Sequence, residues 1–569
     1  MTLRPQEHWP PGLPRSIKYP ILPVHTLLES TALRWPERTA LVDGEQEYSY
    51  GQVWELVERF ATALTALGIE AGNVVAIHLP NSLQFLLSYF SILRIGAIVT
   101  PCNPALKPRE LAHQLANSHA VAVITMDDTI KMFQELQPKL GLRLIIVTSA
   151  SEMRSSSLGG EGDQGIKSFR RLIDQASPNP SPWRCFPEKD PAHLVYTGGT
   201  TGEPKGVVLT HANVLTNTIQ VTLWSTGGMV NEQNGRLQFT NTMLRAKAHH
   251  WEYPLRVGEE STVAVSPWFH ASGLVGYVTR CVAMGATVVV HPRFDLSRYL
   301  SDIIRYRPTF LGGAPPLFFA LLARMQETRI DLTSVRQISS SSAPIAADLL
   351  STMQQLFPNT VVLEGYGMTE ATMGVAFNPA AWSSERKLGS VGLPFFDTEI
   401  KIVDVENGIA ELPLGYEGEV CVRGPQVMAG YFEQPAATDQ VLRDGWLVTG
   451  DVGRLDSDGY LTIVDRKKDL LIYKGYNVYP RELEEHLFQH PAVANCAVIG
   501  KPQKPEGEIP KAFVVLKPGY PVTESELLAF VADRVAPYKR IREMVIVDSI
   551  PVNAAGKVLK RALRDQERG

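Results

Sequence analysis

The apolar positions of the chain switch repeatedly between helical and strand spacing. Over residues 50–67 (YGQVWELVERFATALTAL) they recur every three or four positions. The pattern stops at Gly68, a residue suited to the left-handed conformation that ends helices. Residues 74–79 (VVAIHL) form a continuous apolar run of strand length. The spacing predicts a helix over 83–94, a strand over 98–100 that ends at Pro101, and strands over 121–125 and 144–148 with a helix between them. Strands alternating with helices imply a layered α/β body with parallel pairing. Residues 151–165 (SEMRSSSLGGEGDQG) predict a surface loop, and a second region of parallel type runs from about 191 to 378.

From 389 to 453 the apolar runs shorten and Gly and Pro punctuate them, which predicts a small all-β module. Beyond Arg466 the pattern predicts a helix over 481–490, strands over 494–499 and 511–516, a helix over 524–535 and a strand over 544–547. The expected fold class is therefore α/β. A large N-terminal body, residues 1–466, has two parallel-type α/β layers plus a small β-barrel-like module. A small, mobile α+β C-terminal domain, residues 467–569, follows. No internal repeat is visible.

Composition narrows this picture. With 569 residues the chain can bury several cores without disulfides or metal staples. A hydrophobic fraction of 44% against 20% charged residues excludes disorder over most of the length. The five cysteines (Cys102, Cys185, Cys281, Cys421, Cys496) are scattered, with no C-x-x-C pair. This favours a reduced, cytoplasmic protein without a zinc site. The proline-bearing N-terminus lacks the apolar core of a signal peptide, and residues 86–99, the most apolar early stretch, are interrupted by Arg94 and too short to span a bilayer. The net charge is −4, so nothing global asks for nucleic acid or more than peripheral membrane contact. The charge is uneven, however: residues 466–569 carry +5 and the rest −9. A small basic unit on an acidic body suits a phosphate-bearing small molecule.

The densest chemistry lies in residues 194–211, LVYTGGTTGEPKGVVLTH. An apolar run enters Thr197, Gly198, Gly199, Thr200, Thr201 and Gly202, with Lys205 following. Glycines let backbone N–H groups converge on phosphate oxygens, the threonine hydroxyls add donors, and the lysine adds a positive charge. This is a polyphosphate cradle. It is not a Walker A loop, because Gly206 follows the lysine where a Ser or Thr would be needed.

The run YTGGTTGEPKG resembles the phosphate loop of the AMP-forming adenylate enzymes, which include acyl-CoA synthetases, carrier-linked adenylation domains and firefly-type luciferases. The family's other motifs follow in order: PWFHASG (267–273), GYGMTE (365–370), GEVCVRG (418–424), TGD (449–451), VDRKKDLLIYKGYNVYPRELE (464–484) and PVNAAGKVLK (551–560). The resemblance covers essentially the whole chain and is greatest to bacterial medium- and long-chain fatty-acid–CoA ligases.

The resemblance implies roles. Gly365 and Tyr366 would hold adenine, Thr369 a phosphate, and Glu370 a Mg²⁺ ion, for which a hard carboxylate oxygen is suited. Asp451 would accept hydrogen bonds from the ribose hydroxyls, with Arg466 beside it. Lys557 would reach into the site as pyrophosphate leaves. Lys468 would be the hinge, about which the C-terminal unit turns to bring in Lys474 and Gly475 for the CoA half-reaction. His270, beside Trp268 and Phe269, would gate the acyl tunnel rather than act as a base.

The implied substrates are a carboxylic acid, ATP and CoA. Four activities remain in view. They are acyl-CoA ligation, transfer to a carrier protein, luciferase-like oxidation and silent acyl-nucleotide binding. Ile472 stands where luciferases carry lysine, and the intact Lys205, Glu370, Asp451 and Lys557 oppose silence. Chain length, aliphatic against aryl preference and a homodimeric state stay open. Gly312 and Gly313 suggest space for a long tunnel, whereas the serines from Ser339 to Ser342 suggest a narrower, polar wall. Residues 224–260 look like a polar surface insertion, with His249, His250 and Trp251 together.

Overall fold

The computed structural model describes residues 8–150, 165–197, 204–246, 251–327, 330–340, 345, 347–474, 476–517, 519–552 and 557–568. The predicted loop at 151–165 therefore lies outside the described residues apart from Gly165.

Among the described residues the largest sheet has eight strands. In spatial order they are Gly430–Tyr431, Lys205–Thr210, Pro191–Thr197, Ile98–Pro101, Val74–His78, Ala120–Met126, Leu144–Thr148 and Ile166–Ser168. Pairing is parallel from Pro191–Thr197 onward. Lys205–Thr210 instead returns antiparallel beside Pro191–Thr197, so the glycine-rich segment joins two arms of a hairpin. The helix Tyr50–Ala66 begins with a capping box between Ser49 and Gln52, and Gly68 past its end has φ +80°. The helix Leu83–Arg94 is buried on every side except at Arg94, because it runs between two layers.

A second layer contains two sheets. Ser261–Ala264, Thr287–Val290 and Thr39–Asp43 are parallel, with Gln46–Ser49 antiparallel at the edge. Phe310–Gly313, Gln337–Ser340 and Val361–Tyr366 are parallel and in register, followed by two short antiparallel strands. Phe310, Val361 and Leu363 face the main core, whereas Leu311, Ile338 and Val362 pack on the opposite side. This alternation follows from the two-residue period of a strand.

The all-β module is an antiparallel sheet of Glu399–Val403, Gly418–Arg423, Trp446–Leu455 and Leu442–Arg443, joined by Leu461–Arg466. Beyond it, Leu471–Tyr473, Tyr476–Val478, Val493–Gln503, Gly507–Leu516 and Glu543–Ile546 form the C-terminal sheet, with the helices Pro480–Phe488 and Glu524–Ala532. The strand Val493–Gln503 runs further than its apolar stretch, because its distal half pairs with 507–511 across a short turn.

The segment 224–260 is only partly a surface excursion. Trp224 lies in the buried stretch 213–226 of the helix His211–Thr226, and Tyr253, Leu255 and Val257 are also buried. Between them a hairpin, Met229–Gln233 with Arg236–Thr240, docks on the helix Thr26–Arg34 through Leu237 N–H to Ser30 Oγ at 2.9 Å and Arg34 to Phe239 O at 2.5 Å. Its polarity belongs to the outer face alone. His249 and His250 lie outside the described residues, and Trp251 is sandwiched between the guanidiniums of Arg245 and Arg256, 3.5 and 3.7 Å from the ring.

Among the described residues, all five cysteines are free thiols, and no helix is long and apolar enough to cross a membrane.

Candidate active site

Strand pairing assembles the site. In the all-β module Asp451 and Arg466 are register partners on adjacent antiparallel strands. Their side chains therefore meet: Arg466 Nε lies 3.4 Å from Asp451 Oδ1. Asp451 is buried, and its own N–H is bonded to Thr449 Oγ1 at 3.1 Å. Tyr366, at the end of Val361–Tyr366, donates its hydroxyl to Asp451 Oδ2 at 2.6 Å. Burial and the adjacent carboxylate push that phenol well above its ordinary range. The TGD and GYGMTE motifs thus touch directly.

Close approach explains the glycines of GYGMTE. A Cβ on Gly365 would fall 1.8 Å from the Phe377 ring, and one on Gly367 would fall 1.6 Å from Met373 O. Neither position admits a side chain. The turn they permit leads into the short helical turn Thr369–Ala371. Glu370 accepts from Tyr431 Oη at 3.0 Å, and its carbonyl accepts from Met428 N–H at 2.9 Å.

Lys205, opening the return arm of the hairpin, has its ammonium 4.9 Å from the Tyr431 ring centroid. Tyr431 therefore links the phosphate-loop lysine to the candidate metal ligand. Sequence reasoning missed it. It lies on a two-residue strand paired with Val207, too short to leave a periodic signal. Thr197 closes the first arm of the hairpin. Gly198, Gly199, Thr200, Thr201 and Gly202 lie outside the described residues, as does Gly475.

Lys557 stands near the same group. Burial lowers its ammonium to about 8, Arg466 and Lys468 add to the shift, and Asp451 and Asp469 oppose it. Lys468 lies in the turn Lys467–Asp469 directly after the Arg466 strand. Partial burial and Arg466 lower its ammonium, while Asp469, Asp451 and Glu370 pull it back. Three cations and two carboxylates from three motifs thus share one region, an arrangement suited to polyanionic ligands.

Lys474 is elsewhere. It is exposed at the tip between Leu471–Tyr473 and Tyr476–Val478, with φ +50° and its N–H bonded to Glu506 O at 2.8 Å. No hydrogen bond or ion pair among the described residues ties it to Asp451 or Lys557.

His270 is largely buried against Phe269, 4.8 Å between ring centroids, and its Nε2 has no partner among the described residues. Burial holds its imidazole down to about 4, so it is neutral near pH 7. The space over Gly312 is not open: Tyr277 donates to Gly312 O at 2.6 Å, and a Cβ on Gly312 would lie 3.0 Å from that hydroxyl. Gly313 faces Leu317 instead. The pair of glycines makes room for a tyrosine and a leucine rather than for an unobstructed tunnel. Of the serine run, Ser339 and Ser340 are described, and Ser339 Oγ accepts from Gln337 Nε2 at 3.0 Å.

This fold and site define an adenylate-forming enzyme. Residues 28–432 match the AMP-binding enzyme family, and residues 482–557 match the AMP-binding enzyme C-terminal domain. A long-chain-fatty-acid–CoA ligase of Bacillus subtilis is 33% identical over 98% of this chain and 97% of its own length. A probable CoA ligase of Humulus lupulus, CCL5, is 34% identical over 90% and 87%. Among solved structures, the anthranilate–CoA ligase AuaEII with anthranoyl-AMP superimposes with a TM-score of 0.83 at 27% identity, covering 98% of both chains. The chain belongs to the AMP-binding enzyme family and is an AMP-forming acyl-CoA ligase that uses ATP.

Proposed function

We propose that the chain activates a medium- or long-chain fatty acid through its acyl adenylate and passes the acyl group to CoA, releasing AMP and pyrophosphate. The supporting observation is the convergence of Tyr366, Asp451, Arg466 and Lys557 from four separate motifs, in a chain whose curated relatives include long-chain-fatty-acid–CoA ligases. In the first half-reaction a carboxylate oxygen bonds to the α-phosphorus of ATP, and the bond to the pyrophosphate oxygen breaks. No proton need be removed from an acid already ionised near neutral pH, so a neutral, buried His270 suits a gate. Asp451 and Arg466 hold the ribose, Tyr366 and Gly365 border the adenine, and Thr369 with the loop 197–202 and Lys205 binds phosphates. Lys557 neutralises charge that develops on the carboxylate and α-phosphate oxygens.

A single carboxylate, Glu370, held by Tyr431, fits Mg²⁺ binding of the kind completed by substrate phosphates and water. That ion would offset phosphate charge.

In the second half-reaction the CoA sulfur bonds to the acyl carbonyl carbon, and AMP leaves with the electrons of the C–O bond. The chain divides at 466/467 in this reading. The C-terminal unit turns about Lys468, withdraws Lys557 and brings in Lys474 and Gly475.

The test is pyrophosphate release with Mg·ATP across C2 to C18 fatty acids and cinnamic and benzoic acids, with and without CoA. A C8 to C18 preference with CoA-dependent AMP release is expected. An aryl preference overturns the substrate, and indifference to CoA overturns the acceptor.

A further inference from the structure

The inner wall of the sheet Phe310–Gly313, Gln337–Ser340, Val361–Tyr366 is built in rows set by strand register. Phe310, Gln337 and Val361 form the deepest row, and Gly312, Ser339 and Leu363 the next, with Gly365 of the GYGMTE motif beyond. The deepest row is apolar at Phe310 and Val361, yet it holds polar atoms without partners. Gln337 is fully buried, and among the described residues its Oε1 has no hydrogen bond while its Nε2 is engaged by Ser339. Swapping the assigned amide orientation leaves an N–H unpaired instead, so one orphan remains either way.

Arg280 covers the same row. Its guanidinium carbon lies 5.1 Å from the Phe310 ring centroid, the residue is 6% exposed, and both Nε and Nη2 lack partners among the described residues. Glu260, whose charge acts on Arg280, is already bound by Arg336, Thr309 and the Arg256 N–H, and it forms no ion pair with Arg280 among the described residues. A buried charge with open donors costs several kcal/mol unless something pairs with it, as order-of-magnitude transfer costs indicate. Arg280 lies one turn past Tyr277, and the helical segments Ala271–Gly273, Leu274–Thr279 and Arg280–Met284 run on without a break from His270. The line from His270 to Arg280 therefore descends from the site into the wall.

We infer that Arg280 and Gln337 form a polar end to the acyl pocket that binds a second carboxylate, at the far end of the acyl chain. This rests on the proposed adenylating reaction and narrows its substrate to an α,ω-dicarboxylic acid. A guanidinium takes a carboxylate through two parallel N–H···O bonds, and the Gln337 amide, turned, adds a third donor. The four-residue step from Gly365 to Val361 spans about 13 Å at ~3.3 Å per residue, the reach of a chain of roughly ten carbons. Tyr277 fills the space over Gly312, so the chain passes along Ser339 and Leu363.

The test compares kcat/KM for pyrophosphate release with C8 to C14 α,ω-diacids, the matching monoacids and the matching ω-hydroxy acids, in the wild type and in Arg280→Leu. The wild type is expected to prefer a diacid near C10 by at least tenfold. Arg280→Leu is expected to lose about a hundredfold on that diacid, mainly in KM, while keeping or gaining activity on the monoacid. A wild type that uses monoacids or ω-hydroxy acids but no diacid overturns the inference and leaves the adenylating reaction standing, whether or not the variant folds. An unchanged diacid-to-monoacid ratio in Arg280→Leu also overturns it. No pyrophosphate with any acid overturns the reaction itself, and the inference with it.

Discussion

At the scale of single residues, Lys557 is where geometry and chemistry bind most closely. Its ammonium is lowered from the ordinary 10.5 to about 8, chiefly by burial and then by Arg466. A bound polyphosphate favours the charged form and raises that value. ATP binding near pH 8.5 should therefore take up a fraction of a proton. Titration calorimetry in two buffers of different ionisation enthalpy measures this, and the uptake should vanish in Lys557→Met. In the proposed reaction the ammonium is the active form, so adenylation should fall as pH rises through the bound-state value. Lys557→Ala should lower pyrophosphate release by ~10²–10³ and spare thioester formation from supplied acyl-AMP. A variant that releases pyrophosphate at the normal rate would rule out this role.

At the scale of elements, buried charge ties the parallel strands together. Glu260 is fully buried just before Ser261–Ala264. It accepts from the Arg256 N–H, from Thr309 ahead of Phe310–Gly313, and from Arg336 Nη2 at 2.5 Å ahead of Gln337–Ser340. Truncation to Ala removes three hydrogen bonds and leaves a partly solvated Arg336, and should cost about 1–3 kcal/mol, readable by denaturant titration. The buried histidines act in a second way. Burial holds His25, His193 and His211 to about 3, 3 and 4, below the ordinary 6.5. The unfolded chain takes up protons first as pH falls below 6.5. Stability is then full above that pH and is lost progressively towards pH 4. The midpoint of thermal unfolding should drop steeply between pH 6 and 4.

Much of this scale was legible in the residues. The helices at 50–66 and 83–94 and the strand at 144–148 follow their apolar spacing almost to the residue. The motifs named the partners Asp451, Arg466 and Tyr366, because each carries a side chain of unmistakable chemistry. What escaped was contact made through non-local pairing. Tyr431 reaches Glu370 only because a two-residue strand joins the edge of a distant sheet. Tyr277 fills the space over Gly312 only because a helix and a strand 35 residues apart pack face to face. Spacing along the chain carries neither fact.

For the whole molecule, the junction after Arg466 matters most. Arg481, on the first C-terminal helix, donates its N–H to Asp465 Oδ2 at 2.9 Å and its Nη1 to Ile463 O at 2.8 Å. These bonds cross the proposed division and hold the present arrangement. Arg481→Ala should lower the pyrophosphate-releasing half-reaction by about tenfold, since small misplacements of catalytic groups are costly. Thioester formation from supplied acyl-AMP should hold or rise. Equal loss in both would show that Arg481 serves folding alone.

Arg466 is the last residue of a strand woven into the sheet that carries Asp451, and the turn of Lys468 begins one residue later. In the proposed reaction, a swing of everything beyond that turn would remove Lys557 and leave the Asp451–Arg466 pair behind. The nucleotide end of the intermediate would then stay tethered while the lysine departs. The mixed anhydride would be retained between two chemistries instead of drifting into water, where hydrolysis would squander the ATP already cleaved. With the proposed pivot Lys468 only two residues downstream of Arg466, the proposed ribose contact, a hinge would double as a guard against leakage.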